Sequence, residues 1–215
     1  MRVIAIDGPA GAGKSTIAQA LAKRLGLQYL DTGAMYRAIT FAAMERGLSL
    51  DDTAAVGAMA RRAALEVSES GVTVDGLDAT TAIRTPAVTA AVSKVAANSE
   101  VRTEMRARQQ RWAAQHGGGV IEGRDIGSVV FPDAELKLYL TATPRTRASR
   151  RVAEAGGDID EIEAAIAVRD HYDSNRADSP LTFADGSIVV DTTGSSIEQV
   201  LAHIAELMTN GPAAE

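Results

Sequence analysis

Gly8-Pro9-Ala10-Gly11-Ala12-Gly13-Lys14-Ser15 fits the pattern G-x-x-x-x-G-K-[S/T] without a mismatch. Each residue type in that pattern has a physical task. Glycines let consecutive backbone N–H groups curl around phosphate oxygens with no Cβ in the way. A lysine at position 14 reaches β- and γ-phosphates, and a hydroxyl at Ser15 suits Mg²⁺. The expected donor site runs from Gly8 to Thr16 and takes a nucleoside triphosphate, with Mg²⁺ as cofactor and Ser15 as its protein ligand.

Such a loop works only between a strand and a helix. Val3-Ile4-Ala5-Ile6 is an apolar, β-branched run that suits a buried parallel strand, and it ends at Asp7. After the loop, Ile17, Ala18, Leu21, Ala22 and Leu25 recur at helical spacing, and Gly26 supplies a stop. The helix aims its positive end at the bound anion.

Composition narrows the class. The chain has 215 residues, enough for one sizeable α/β domain with a small insert. With no cysteine, disulfides and thiolate metal sites are excluded. No apolar run approaches the ~20 residues of a membrane span. The chain opens directly into strand and phosphate loop, so no signal peptide is expected and the cytoplasm is the expected location. A net charge of −6 argues against a general nucleic-acid binder, as does the lack of an aromatic RNA platform. Lys14, Lys23, Lys94 and Lys137 are the only lysines among 22 basic residues. None lies in an N-K-x-D guanine motif, which removes a GTPase, and the chain is too short for a motor or transporter ATPase. A small kinase remains, and it needs an acceptor site.

Candidate main-sheet strands are 3–7, 27–30, 119–122, 135–141 and 187–191. Alternation of β and α with a phosphate loop after the first strand predicts an α/β three-layer sandwich around a five-stranded parallel sheet. Residues 65–68 and 72–74 alternate about a tight turn at Ser70-Gly71, and a third short strand is expected near Thr81-Ala82-Ile83, giving a small antiparallel insert. Helices follow at about 86–97 and 99–115, then Gly117-Gly118-Gly119, read as flexible, and finally a tail at 211–215.

Ligands of parallel sheets bind beyond the carboxyl ends of the strands. Polar clusters stand there: Asp31-Thr32-Gly33-Ala34-Met35-Tyr36-Arg37, Glu122-Gly123-Arg124-Asp125-Ile126-Gly127, and the arginines after Leu140. Together with residues 82–88, Ser93, Arg102 and Arg169-Asp170-His171-Tyr172-Asp173-Ser174-Asn175-Arg176, they make the chain resemble the bacterial cytidylate kinases, a family of P-loop nucleoside monophosphate kinases. The resemblance extends to about residue 205.

The resemblance implies ATP and CMP or dCMP as ligands; the rival reading is another small P-loop kinase acting on UMP, AMP or a non-nucleotide acceptor. It implies that Arg37, Arg124 and Arg176 clamp the acceptor phosphate, three guanidinium forks on one dianion. Thr32, Arg102 and Asp125 are implied to read cytosine, while Ser93, Arg169 and Asp173 meet the pentose and Tyr36 packs at the acceptor site. Arg102 stands apart from Arg106, Arg108 and Arg111, which read as a solvated helix face. Asp125 as a helix N-cap, and Asp173 with Arg176 as a surface ion pair, are the plainer alternatives. A helical lid of about 144–176, carrying Arg147, Arg150 and Arg151, is implied to close over ATP, with Arg147 and Arg151 on the triphosphate. The implied layout is a single domain over 1–210: core 1–64, 116–143 and 177–209, monophosphate-binding insert about 65–115, and the lid. Two positions depart from the family pattern, Glu122 where an aspartate is frequent and Thr32 where a serine is common. The absence of a coiled-coil or exposed apolar stripe makes monomer the expectation.

The attacking group in such a transfer is a phosphate oxygen, already ionised near pH 7 because a second phosphate pKa is about 6. Catalysis then rests on positioning and on cations, with Lys14, Arg124, Arg176, Arg147 and Arg151 as the catalytic candidates. Lys14→Ala is expected to lower kcat by roughly 10³-fold or more with the fold intact, checked by steady-state turnover beside a circular dichroism spectrum.

Overall fold

A computed structural model of the chain describes residues 1–68 and 70–210. The central sheet has five parallel strands: β1 (Arg2–Asp7), β2 (Tyr29–Asp31), β6 (Gly118–Glu122), β7 (Leu136–Thr141) and β8 (Ile188–Asp191). Their spatial order is β2-β6-β1-β7-β8, so β1, which feeds the phosphate loop, lies at the centre. Ile4, Ile6, Val120, Leu138 and Leu140 pack on one face with Ile17 and Leu21 of α1 (Lys14–Leu25) and with Val200 and Ile204 of α8 (Ile197–Asn210). The other face packs against α2 (Thr32–Glu45), α4 (Pro86–Ala96) and α5 (Ser99–His116) through Leu30, Ile39, Val92, Met105 and Ile121. The expected three-layer α/β architecture is therefore present.

The second sheet is antiparallel, β3 (Leu65–Ser68), β4 (Gly71–Val74) and β5 (Leu77–Asp78). Its third strand is not at 81–83. Asp75 and Gly76 both take left-handed φ, 52° and 78°, so the chain turns straight back after Val74. Asp-Gly is the favoured pair for that reversal. Ala82–Arg84 instead form a 3-10 turn, and Pro86 then opens α4. An additional helix, α3 (Thr53–Arg62), is started by the Asp52 carboxylate, which accepts the Ala55 N–H at 2.9 Å. Helices α6 (Pro144–Ala155) and α7 (Ile159–Asn175) form a hairpin beside the phosphate loop. The expected tail at 211–215 lies outside the described residues.

The glycine run at 117–119 is not a flexible link. Gly117 ends α5 at φ 72°, while Gly118 and Gly119 are buried and begin β6. Gly118 has φ 123°, and a Cβ there would meet the Arg2 carbonyl oxygen at 2.1 Å. The chain crosses too near β1 for any side chain. Gly118→Ala is expected to destabilise the fold by roughly 3 kcal/mol. Gly117→Ala, with open space around its Cβ, should lose only about 1 kcal/mol. Urea unfolding of the two variants checks the contrast.

Candidate functional site

One cavity of about 990 Å³ opens at the carboxyl ends of the parallel strands. It is built first from the phosphate loop. Gly8, Gly11 and Gly13 all have positive φ. A Cβ on Gly8 would stand 2.0 Å from the Leu140 carbonyl oxygen, so the loop must pass β7 with bare backbone. Gly13 stands at the start of α1, and no side chain caps that helix. Its first N–H groups and its positive end therefore face the cavity, the arrangement that suits an anion.

Lys14 is buried and donates to the Pro9 carbonyl at 2.8 Å. Burial lowers its pKa, Arg124 lowers it further, and Glu122 opposes them. The Glu122 carboxyl, also buried, accepts the Tyr29 hydroxyl. Burial raises its pKa and nearby Asp31 adds to this, while Lys14 pulls it down. Ser15 lies beside this carboxylate. Ser15, Asp31 and Glu122 thus bring hard oxygen donors to one part of the cavity, which is the donor chemistry that Mg²⁺ accepts.

The opposite part is lined by arginines and carboxylates. Arg124 follows β6 and donates through Nε to Asp173 of α7 at 2.9 Å. Arg169, one turn earlier on α7, reaches the same carboxylate at 4.0 Å. Burial pushes the Asp173 carboxyl up, but Arg124 and Arg169 outweigh it and hold it below the ordinary value. Burial and the neighbouring Arg124 lower Arg169 to about 9. Arg37, on α2, falls to about 10 for the same reasons, burial first and then Arg151. It donates to the Ile83 carbonyl at 3.0 Å and to Thr89 Oγ1 at 2.8 Å.

Arg102, on α5, is 2% exposed and forms a buried ion pair with Asp125. Its guanidinium also sits 5.6 Å from the Tyr36 ring centre. Arg176 reaches Asp125 at 3.8 Å and donates to the Ser179 carbonyl at 2.7 Å. Asp125 caps no helix with its side chain. Among the described residues, Arg102 Nε, Arg169 Nε and one terminal nitrogen of Arg176 are buried with no hydrogen-bond partner. Thr32 Oγ1 donates to the Glu122 carbonyl at 2.6 Å.

Of the residues singled out in the sequence, the cavity is lined by Ala10 to Thr16, Thr32, Tyr36, Arg37, Ser93, Arg102, Arg124, Asp125, Arg150, Arg151, Arg169, Asp173 and Arg176. Gly8, Pro9 and Arg147 are not in that lining. Arg147 is 6% exposed, donates to the Ala10 carbonyl at 3.0 Å and the Ala142 carbonyl at 3.1 Å, and pairs with Asp170 at 2.6 Å. It buttresses the phosphate loop from behind. Arg150 lines the cavity and also ties down the loop, donating to the Thr192 carbonyl at 2.7 Å and the Gly11 carbonyl at 3.4 Å. Arg151 is half-exposed and pairs with Glu154. Arg106 is not free on a solvated face, since it donates to Ser179 at 3.2 Å.

The structure adds residues that periodicity did not pick out. Thr192, just after β8, donates to the Ala12 carbonyl at 3.2 Å. Asp170 holds Arg147, and Arg84 comes within 3.8 Å of Asp31. Asp7 accepts the N–H groups of Ile126 and Gly127. The sequence signal for Asp7 and Thr192 was their place at strand ends, where sites of parallel sheets collect.

A phosphate loop on the central strand of a parallel sheet, facing an arginine-rich acceptor region, defines a P-loop kinase. The family model for cytidylate kinase matches residues 4–210, and the chain belongs to that family. It is 47% identical over 96% of its length to a cytidylate kinase of Desulfitobacterium hafniense, covering 92% of that protein. It is 48% identical to one of Geobacillus sp., covering 95% of each chain. It is also 50% identical, over 95% of its length, to a bifunctional pantoate ligase/cytidylate kinase of Synechococcus sp., and spans 44% of that longer protein. Among solved structures it shares its fold with a shikimate kinase of Bacteroides thetaiotaomicron, at a TM-score of 0.51 and 13% identity over 97% of this chain and 98% of that one.

Arg147→Ala is expected to lower stability by about 3 kcal/mol, because it removes a buried guanidinium that packs behind the loop and bonds the Ala10 and Ala142 carbonyls and half-buried Asp170. A fall in Tm of roughly 10 °C without nucleotide, seen by differential scanning fluorimetry, distinguishes a buttress from a side chain that only touches ATP.

Proposed function

We propose that the chain transfers the γ-phosphoryl group of ATP to CMP or dCMP, giving ADP and the cytidine diphosphate. The observation that carries this reading is the buried Asp125, held by Arg102 and Arg176 in the same cavity as the phosphate loop. Cytosine offers an amino group that a carboxylate accepts, and a ring nitrogen and carbonyl that arginine and a hydroxyl donate to. Uracil reverses the pattern at position 4, so it leaves Asp125 unmatched, and buried polar mismatch discriminates strongly. Thr32 and Arg102 complete this reader, with Tyr36 beneath the Arg102 guanidinium.

In the transfer, an oxygen of the CMP phosphate attacks Pγ, and the bond from Pγ to the β–γ bridging oxygen breaks. The displaced oxygen keeps its electron pair on ADP. The nucleophile is already an anion, so no base is required of the protein. What it must do is hold two polyanions in line. Lys14 and the α1 N-terminus take the triphosphate, while Arg37, Arg124 and Arg176 take the acceptor phosphate. A polyanion beside Lys14 favours its protonated form, countering the effect of burial and Arg124. Arg169, Asp173 and Ser93 are placed to meet the pentose. Ser15, with the Asp31 and Glu122 carboxylates near it, would hold Mg²⁺, which supplies charge neutralisation on the phosphates. Helices α6 and α7 serve as the lid that excludes water, and Arg151, half-exposed on that hairpin, closes onto ATP. The insert 65–115 covers the monophosphate end. The reading describes a monomeric cytoplasmic enzyme acting on free nucleotides.

ADP release from ATP with CMP, dCMP, UMP and AMP tests this. CMP and dCMP should lead by about 10²-fold or more in kcat/KM; equal turnover of UMP overturns the cytosine reader. Chelation of Mg²⁺ should abolish turnover and its re-addition restore it. Asp173→Ala should raise the KM for CMP about tenfold while moving that for ATP little.

A further inference from the structure

Asp7 closes β1 one residue before the phosphate loop, is 5% exposed, and takes no part in the transfer described above. Its Oδ1 accepts the Ile126 N–H at 2.8 Å and its Oδ2 the Gly127 N–H at 2.7 Å. These amides open a single π-helical turn, Ile126–Val130. The first N–H groups of any helical turn lack partners within it, and the residue just before usually supplies an acceptor. Asp125 occupies that position and does not cap. The cap comes instead from a strand 119 residues away. The Asp125 carboxylate is thereby left to Arg102 and Arg176.

The other flank is tied to the same strand. The Gly123 N–H donates to the Ile6 carbonyl at 2.9 Å. The last two residues of β1 therefore bracket Arg124 and Asp125 on both sides. Burial raises the Asp7 carboxyl more than the Gly127 and Ile126 amides lower it, leaving it at about 6. A buried carboxylate is costly unless its oxygens are bonded, and here each oxygen has one amide.

We propose that Asp7 is a positioning residue for the acceptor base, its carboxylate fixing the turn that presents Arg124 and Asp125 and tying that turn to the donor loop beginning at Gly8. The proposal rests on the cytosine-reading function given above. In Asp7→Asn one acceptor oxygen becomes an NH₂ group facing an amide N–H. The KM for CMP should rise about tenfold or more, the KM for ATP should change by less than about twofold, and the preference for CMP over UMP in kcat/KM should fall about tenfold. Asp7→Ser, smaller and still holding one acceptor, is measured beside it in case the asparagine does not fold, with the same expectation. An unchanged CMP KM, or a rise in both KM values with the CMP preference kept, overturns the role and leaves Asp7 a support of the fold alone. A wild-type chain with no cytosine preference overturns the functional reading first, which separates the two failures.

Discussion

Crowding of positive charge in one cleft is the constraint on which the site depends. Lys14, Arg37, Arg102, Arg124, Arg169 and Arg176 line one cavity, and burial works against the charge of every one of them. Such a set persists only with counter-charges in place. Asp173 holds Arg124 and Arg169, Asp125 holds Arg102 and Arg176, and Glu122 faces Lys14. The carboxylates balance the cations in part and leave several guanidinium N–H groups without partners. Two polyanionic nucleotides are the ligands that such a residual positive field suits.

The parallel sheet supplies the geometry for this field. With β1 central, the loops after β1, β6, β7 and β8 open on one edge. Donor and acceptor elements come from neighbouring strands, so their spacing is set by strand separation rather than by flexible chain. The phosphate loop is further held by Arg147 and Arg150 of α6 and by Thr192 after β8. Preorganised backbone amides serve electrostatic catalysis because little reorganisation remains when charge develops.

Local chemistry was legible along the chain wherever the deciding contacts are near in sequence. The phosphate loop, its strand and its helix follow from consecutive residues. The same holds for helix starts such as Asn98, whose side chain accepts the Glu100 N–H. The third strand of the insert is set locally as well, since Asp75-Gly76 makes the turn that pairs Leu77–Asp78 with β4. The glycine run was harder to read, because its function is close passage past Arg2, more than a hundred residues away. Arg147, Arg150 and Arg151 look alike in sequence, and only packing separates Arg147, buried behind the loop, from Arg150 and Arg151, which line the cleft.

By itself the sequence determined that a triphosphate-binding loop opens a parallel α/β fold, because that loop's geometry depends on glycines and a lysine within eight consecutive positions. It also determined which residue types crowd the strand ends. Tertiary structure alone decided what each of them touches. Asp7 rather than Asp125 accepts the first N–H groups of the turn, Asp125 faces two arginines, and Arg147 is held behind the loop by Asp170 and Ala10. Two of the deciding hydrogen bonds, from the Ile126 N–H to Asp7 and from Arg147 to the Ala10 carbonyl, span more than a hundred residues, and no spacing rule connects their partners.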